Sequence, residues 1–152
     1  MLITGGWKYW IVDLNMTKNQ SKVYTHLTWS TKCREKFLKD KNHLDQVLNH
    51  ITENAVKKGI SIVAIGGSTD HVHILIRLST NISLAKTVML IKGESSWWIR
   101  RSIPVLFHFE WQNGYDARSV SSDKVRVVSD YILNQEEHHA KKLDDDTIEI
   151  KK

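Results

Sequence analysis

The sequence predicts an α+β domain with a ferredoxin-like (RRM-like) antiparallel sheet, helices on one face, and a further helix at the C-terminal end. Two observations support this fold class. Segments with strand and helix periodicity alternate in the order β-α-β-β-α-β-α, and a short glycine-containing turn separates the two central strand segments. Two βαβ-like halves around a central hairpin form this sandwich, and the second face of the sheet is expected to stay open for a ligand or a partner.

The first three elements are predicted as a strand, a helix and a strand. Residues 22–30 alternate between apolar residues and polar residues that include His26, as in a half-buried strand. Residues 42–58 carry apolar side chains at helical spacing, and Gly59 follows as a C-terminal stop. Residues 60–65 are a short apolar run, which indicates a buried strand.

The next elements complete the hairpin and add a long helix. Residues 66–70, GGSTD, have the composition of a turn, and residues 71–78 follow as the second hairpin strand. A helix is predicted from Ser83 to about residue 101, with an apolar stripe along one side and Pro104 beyond its end.

The last third of the chain contains the final predicted strands and helix. Residues 107–111, FHFEW, alternate as a strand does, and residues 115–120 are predicted as a looser extended stretch. The last helix is expected to begin near Ser122, as its N-cap, and to run to about Lys142.

The two ends differ from the middle of the chain. Residues 1–15 are short, apolar and unpatterned, so we expect them to be an extension outside the core, with Met16 as an alternative translation start. Residues 16–152 are then a single domain, and the charged C-terminal segment LDDDTIEIKK is expected to be peripheral to it.

Composition excludes several classes of protein. The 152 residues contain one cysteine, Cys33, which excludes an internal disulfide framework and a thiolate zinc cage. No apolar run approaches the roughly 18 residues of a membrane span. We therefore expect a cytoplasmic protein without a membrane partner. The formal net charge of +5 permits a polyanionic partner but does not by itself require one.

The sharpest local feature is His71-Val72-His73 on a predicted strand. Residues i and i+2 of a strand point to the same side, so the two imidazoles can converge on one metal ion. Strand alternation directs Val72 towards the helices and the two histidines towards the open face. The same spacing also arises by chance, so the histidine pair alone does not establish a metal site.

A second feature lies in the predicted last helix. Tyr131 and Gln135 are four residues apart and therefore share a helix face. A tyrosine hydroxyl can act as a nucleophile that forms a covalent intermediate, and an amide oxygen can serve as a third metal ligand. Ordinary packing of the tyrosine and exposure of the glutamine is the alternative interpretation.

Several basic residues are candidates for DNA contacts. His26 is expected on the same sheet face as the histidine pair, where it could contact nucleic acid or pack against its neighbours. The other candidates for phosphate contacts lie on or near the second long helix: Lys86, Lys92, Arg100 and Arg101.

Five ordered motifs carry a resemblance to a known family: HLTWSTKCRE, GGSTDHVHILI, IKGESSWW, WQNGYDARSVS and YILNQEEHH. Over residues 23–142 the chain resembles the HUH-type single-strand tyrosine transposases, the insertion-sequence-200-like group and its repeat-associated domesticated relatives. The resemblance implies an enzyme of a bacterial or archaeal cell that cuts and rejoins single-stranded DNA, including hairpins, and acts as a homodimer.

The resemblance also implies residue roles. His71 and His73 match the two metal-binding histidines, Gln135 matches the helix residue that completes the metal site, and Tyr131 matches the nucleophile. The tyrosine attacks a phosphodiester, which leaves a 5′-phosphotyrosine and a free 3′-OH. The implied cofactor is a divalent ion. We expect Mg²⁺ in the cell and Mn²⁺ to bind at least as tightly, because imidazole favours later metals.

Two other functions share this fold. An RRM-like module without catalytic activity would bind RNA or single-stranded DNA by stacking bases on strand aromatics, whereas this chain offers His71 and His73 there. A domesticated transposase that binds chromosomal hairpins would have the same active site.

Overall fold

A computed structural model describes residues 21–135 of the chain. The sheet is four-stranded and antiparallel in the order β2-β3-β1-β4, which confirms the predicted ferredoxin-like class. The strands are β1 (Tyr24–Ser30), β2 (Ser61–Gly67), β3 (His71–Arg77) and β4 (Asp116–Val120), and the helices are α1 (Lys41–Lys57), α2 (Leu84–Ser102) and α3 (Val125–Leu133). Three short 3-10 helices span Lys32–Arg34, Pro104–Leu106 and Ser122–Lys124.

The main core lies between one sheet face and the helices α1 and α2. The alternation predicted for β1 is confirmed, since Leu27 and Trp29 are buried and the intervening residues are only partly so. Side chains that α1 and α2 contribute to this core include Val47 and Ile51 from α1 and Ile91 from α2. The spacing of apolar residues in each segment therefore predicted correctly which face is buried.

Both long helices begin at capping side chains. Asp40 Oδ1 accepts hydrogen bonds from the backbone N–H groups of Asn42 (2.8 Å) and His43 (3.3 Å) at the start of α1. Ser83 Oγ accepts one from Lys86 N at 3.1 Å, and the helix predicted from Ser83 begins at Leu84. Gly59 has φ +70°, which agrees with its predicted role after α1.

The second sheet face is partly covered, which corrects the prediction that it stays open. Helix α3 packs on β2 and β3 and buries Ile132 against Ala64 and Leu75 in a small second core. A change of register between Ile62 and Ala64 brings Ala64 opposite Leu75, on the α3 side. Small residues at this end of β2 leave room for a helix.

The predicted strand at residues 107–111 is wrong. This segment makes a single bridge, between Thr31 and Trp111, and the fourth strand is β4 instead. Phe109 and Trp111 are buried because their rings contact each other and, for Trp111, the ring of Trp29 (centroids 6.0 Å apart). The Trp111 indole also donates to Ser95 Oγ at 3.0 Å. Alternation here reflects aromatic anchoring to the core and not strand pairing.

Two boundaries also differ from the predictions. Gly66 and Gly67 belong to β2, so the hairpin turn is shorter than residues 66–70. Ser122 is not the N-cap of the last helix, because a 3-10 turn precedes α3 and α3 begins at Val125.

Three of the predictions concern residues that the structure does not describe. They are the helix end near Lys142, the extension at residues 1–15 and the C-terminal tail. Within residues 21–135, no helix has the length and apolar character that a membrane span requires.

Candidate functional site

Strand β3 presents His71 and His73 on the face that α3 covers, and Val72 on the opposite face in the main core. The centroids of the two imidazole rings are 5.1 Å apart, and the rings contact each other edge to face. His73 is buried, at 8% exposure, and the side chain of His71 is 12% exposed. The predicted shared face of the pair is therefore present in the structure.

An acidic neighbour orients His71. Asp70 Oδ1 lies 2.6 Å from His71 Nδ1, and Asp70 Oδ2 lies 3.4 Å from Arg34 Nη1. Burial disfavours the charged form of Asp70. The hydrogen bond and charge of His71, with a smaller contribution from Arg34, outweigh burial and lower the pKa of Asp70 below its usual value. The ionised carboxylate can only accept, so His71 donates from Nδ1, and Nε2 of the neutral ring is the nitrogen that would bind a metal.

A second histidine orients His73. His26 Nε2 lies 2.9 Å from His73 Nδ1, and Thr28 Oγ1 lies 3.1 Å from the same atom. Burial lowers the pKa of His26, with opposing smaller effects of Asp116 and Arg118. Burial therefore favours the neutral form of His26, in which one ring nitrogen donates and the other accepts. The sequence suggested His26 as a nucleic-acid contact or a packing residue, and the structure shows it hydrogen-bonded to His73.

Helix α3 brings Tyr131 to these histidines. The Tyr131 ring centroid lies 5.8 Å from that of His73 and 6.4 Å from that of His26, with its side chain 45% exposed. Gly66 makes this close approach possible. It pairs with His73 across the hairpin, and a Cβ at Gly66 would overlap the backbone carbonyl oxygen of Ile132. Sequence reasoning missed this role because it assigned Gly66 to a turn.

Gln135 lies four residues after Tyr131, at the end of the described residues. Helix α3 ends at Leu133, Asn134 forms a turn, and Gln135 is again helical. Its side chain is 3% exposed, whereas Tyr131 is half-exposed, and Gln135 Nε2 lies 3.4 Å from the Tyr131 carbonyl oxygen. The alternative interpretation, in which the glutamine is exposed, is therefore wrong, while the metal-ligand role of Gln135 stays a prediction.

Among residues 21–135, no three His, Cys, Asp or Glu side chains come close enough to hold a metal ion. Two imidazoles can nevertheless form part of a metal site whose other ligands are an amide, water or substrate oxygens. The ordered Nδ1 contacts of His71 and His73 fit that arrangement, because histidine ligands usually bond through their second ring nitrogen as well.

The four basic residues predicted as phosphate contacts lie on α2, across the sheet from the histidines. Lys92 Nζ donates to the carbonyl oxygens of Gln112 (2.8 Å) and Gly114 (2.6 Å), and burial lowers its pKa. Arg100 donates to Ser96 and to the carbonyl oxygen of Phe109, Arg101 stacks on Trp97, and Lys86 is exposed. DNA contact by these residues stays a prediction. The Lys92 side chain is already engaged in hydrogen bonds to the loop that contains Gln112 and Gly114.

Comparison with known proteins adds a family and a fold. The model of the family described as IS200-like transposases matches residues 19–135. A candidate transposase from Deinococcus radiodurans, solved at 1.90 Å, has 26% identity and a TM-score of 0.64, with 80% of this chain and 97% of that chain covered. A REP-associated tyrosine transposase bound to a REP hairpin has 17% identity and a TM-score of 0.58, covering 84% of this chain and 74% of that one. No curated protein matches the sequence.

Proposed function

Because the chain belongs to the IS200-like transposase family, we propose that it cuts and rejoins single-stranded DNA through a covalent tyrosine intermediate. The observation that supports this most directly is the position of Tyr131 beside His73, with 5.8 Å between ring centroids. A half-exposed phenol next to two ordered imidazoles is accessible to a DNA strand from solvent. A tyrosine hydroxyl can form a covalent intermediate, and a base or a metal ion held nearby can activate the attack.

The proposed reaction forms one bond and breaks another. The Tyr131 hydroxyl oxygen attacks phosphorus, the bond from phosphorus to the 3′ oxygen breaks, and the phenol proton is lost as the 3′ oxygen gains one. The product is a 5′-phosphotyrosine and a free 3′-OH. Because the phosphotyrosine keeps a phosphodiester, a second 3′-OH can reverse the step and join strands without a nucleotide triphosphate.

His71 and His73 are proposed to hold a divalent ion, Mg²⁺ or Mn²⁺, with the Gln135 amide oxygen as a third ligand. Such an ion would polarise the scissile phosphate and offset charge on its oxygens. The protein ligands are neutral, so they would leave the positive charge of the ion undiminished. Asp70 and His26 would contribute indirectly, by orienting the two imidazoles.

Metal binding gives a prediction that is independent of catalysis. Replacing His73 with alanine should lower the affinity for Mn²⁺ by at least about 10-fold, and Asp70→Asn should lower it by about 10- to 100-fold through loss of His71 orientation. Calorimetric titration of the free protein with Mn²⁺ measures both. His108→Ala is the matched control, since His108 is exposed and contacts Phe37 and Phe107. Equal Mn²⁺ affinity in all variants would contradict the assigned metal site.

The proposed substrate is single-stranded DNA that carries a hairpin. A net charge of +5 and the family support a nucleic-acid partner, and a protein of the same fold was solved bound to a REP hairpin. To test the function, labelled single-stranded DNA from both flanks of the gene is incubated with the protein and Mg²⁺, Mn²⁺ or chelator. A metal-dependent protein–DNA band that survives a denaturing gel is expected. Hairpin binding without such a band would contradict the proposed chemistry.

The resemblance implies a homodimer, but the contact between Tyr131 and His73 within one chain supports a site built from a single copy. We therefore expect no recovery of the covalent adduct when Tyr131→Phe protein is mixed with His73→Ala protein. Size-exclusion chromatography with light scattering would give the oligomeric state of the mixture. Adduct formation in a dimeric mixture would instead show that Tyr131 acts on the histidines of a partner subunit.

The alternative of an RRM-like binding module has less support from the structure. In the described part of the chain, α3 covers Ala64 and Leu75 on the sheet face where bases would stack. A domesticated transposase that binds chromosomal hairpins would use the same residues, so it differs in genomic role and not in chemistry.

A further inference from the structure

A cleft of about 450 Å³ lies directly beside the histidine pair. It is bounded by the ends of β1 and β3 and by the segments 31–35 and 112–116. Its volume falls in the range of roughly 300–1,000 Å³ that is common for small-ligand pockets. Its lining includes His71, His73, Arg34, Asn113 and Tyr115. A molecule in the cleft would therefore contact the proposed catalytic site.

Hydrogen bonds hold the two walls of this cleft together. The Cys33 N–H donates to Gln112 Oε1 at 3.0 Å, and the Gln112 N–H donates to the Ser30 carbonyl oxygen at 2.8 Å. Lys92 supports the second wall through the carbonyl oxygens of Gln112 and Gly114. The cleft is therefore formed before any ligand binds, which reduces the entropy cost of binding.

The exposed groups of the cleft have the chemistry of a nucleotide site. Tyr115 is 42% exposed, which allows its ring to stack on a base. The Arg34 side chain is 70% exposed and supplies donors for a phosphate or a base edge. Cys33 and Arg34 have φ of 53° and 55°, a backbone region that non-glycine residues seldom adopt. This backbone places Arg34 next to Asp70, the partner of His71.

We propose that this cleft binds one unpaired nucleotide adjacent to the phosphodiester that Tyr131 attacks, with Tyr115 stacking on its base and Arg34 binding its polar edge or phosphate. The proposal rests on the proposed function, because His71 and His73 line the same cleft. The nucleotide in it would belong to the strand being cut and would give the enzyme a protein-based preference at that position.

Abasic substitution tests this site by equilibrium binding. One abasic site is moved stepwise through a labelled single-stranded oligonucleotide from the gene flank, and fluorescence anisotropy at fixed salt gives its affinity for Tyr131→Phe protein. At one position, loss of the base should weaken binding roughly 10-fold, as loss of a stacked base does. In the Tyr115→Ala background the same abasic site should have no further effect, whereas Tyr115→Phe should behave as the parent protein does.

Cleavage by the wild-type protein then locates the site on the DNA. The position coupled to Tyr115 should flank the bond that is cut. Coupling at a distant position, or no position whose effect depends on Tyr115, would overturn the proposal. Coupling without any covalent adduct would instead overturn the proposed function while retaining a nucleotide site, so the two failures are distinguishable.

Discussion

Replacing Tyr131 with phenylalanine is expected to reduce covalent capture of single-stranded DNA below detection while DNA binding is retained. Only the hydroxyl oxygen is lost, and with it the proposed nucleophile. The phenylalanine ring can keep the edge contacts with His73 and His26. Since the side chain is 45% exposed, the free energy of unfolding should change by no more than about 0.5 kcal/mol. Denaturing gels measure the adduct, and anisotropy measures affinity.

Tyr24→Phe is the matched control for this experiment. Tyr24 lies on β1 and packs against the small core under α3, so its replacement removes the same atom from the same sheet face. It should form the adduct at the wild-type rate. An adduct that persists in the Tyr131→Phe protein would assign the nucleophile to another residue.

Replacing Gly66 with alanine is expected to cause the second-largest loss in the rate of adduct formation, although Gly66 has no side chain that could take part in the reaction. The added Cβ would overlap the Ile132 carbonyl oxygen and lie 3.2 Å from its carbonyl carbon, so α3 must move away from β2. Tyr131 precedes Ile132 and would move with the helix. A displacement near 1 Å at a reacting group can lower a rate about 100-fold. We expect a loss of this size in the rate of adduct formation.

Gly93→Ala is the matched control, because a Cβ at Gly93, inside α2, meets nothing within 4 Å. It should keep the wild-type rate and raise stability by roughly 0.5–1 kcal/mol. Ile132→Ala tests the same docking contact without overpacking, since it removes the buried anchor of α3. Circular dichroism would establish that each variant is folded. Wild-type adduct formation in both Gly66→Ala and Ile132→Ala would contradict a role for α3 docking.

Residues near the site were predictable to different degrees. His71 and His73 follow from strand alternation, which depends only on local periodicity and is confirmed by their shared face. Asp70 was missed, although its position directly before His71 was a usable signal. His26 was placed on the correct face, but its hydrogen bond to His73 depends on the pairing of β1 with β3, which residue types do not specify.

The error at residues 107–111 has a similar origin. Alternation reports which side chains are buried, and Phe109 and Trp111 are indeed buried. Alternation does not indicate whether a neighbouring strand is available to pair. In this segment only one bridge forms, between Thr31 and Trp111. The following segment, β4, pairs with β1 although most of its side chains are exposed.

The sequence by itself determined the α+β class, the hairpin, the face of the histidine pair and, through its motifs, the transposase family. Only the tertiary structure decided that α3 covers part of the second sheet face and that Tyr131 contacts His73 in the same chain. The physical reason is that burial periodicity is a property of one element, whereas docking depends on the space between elements. At Gly66 that space is created by the absence of a single Cβ atom.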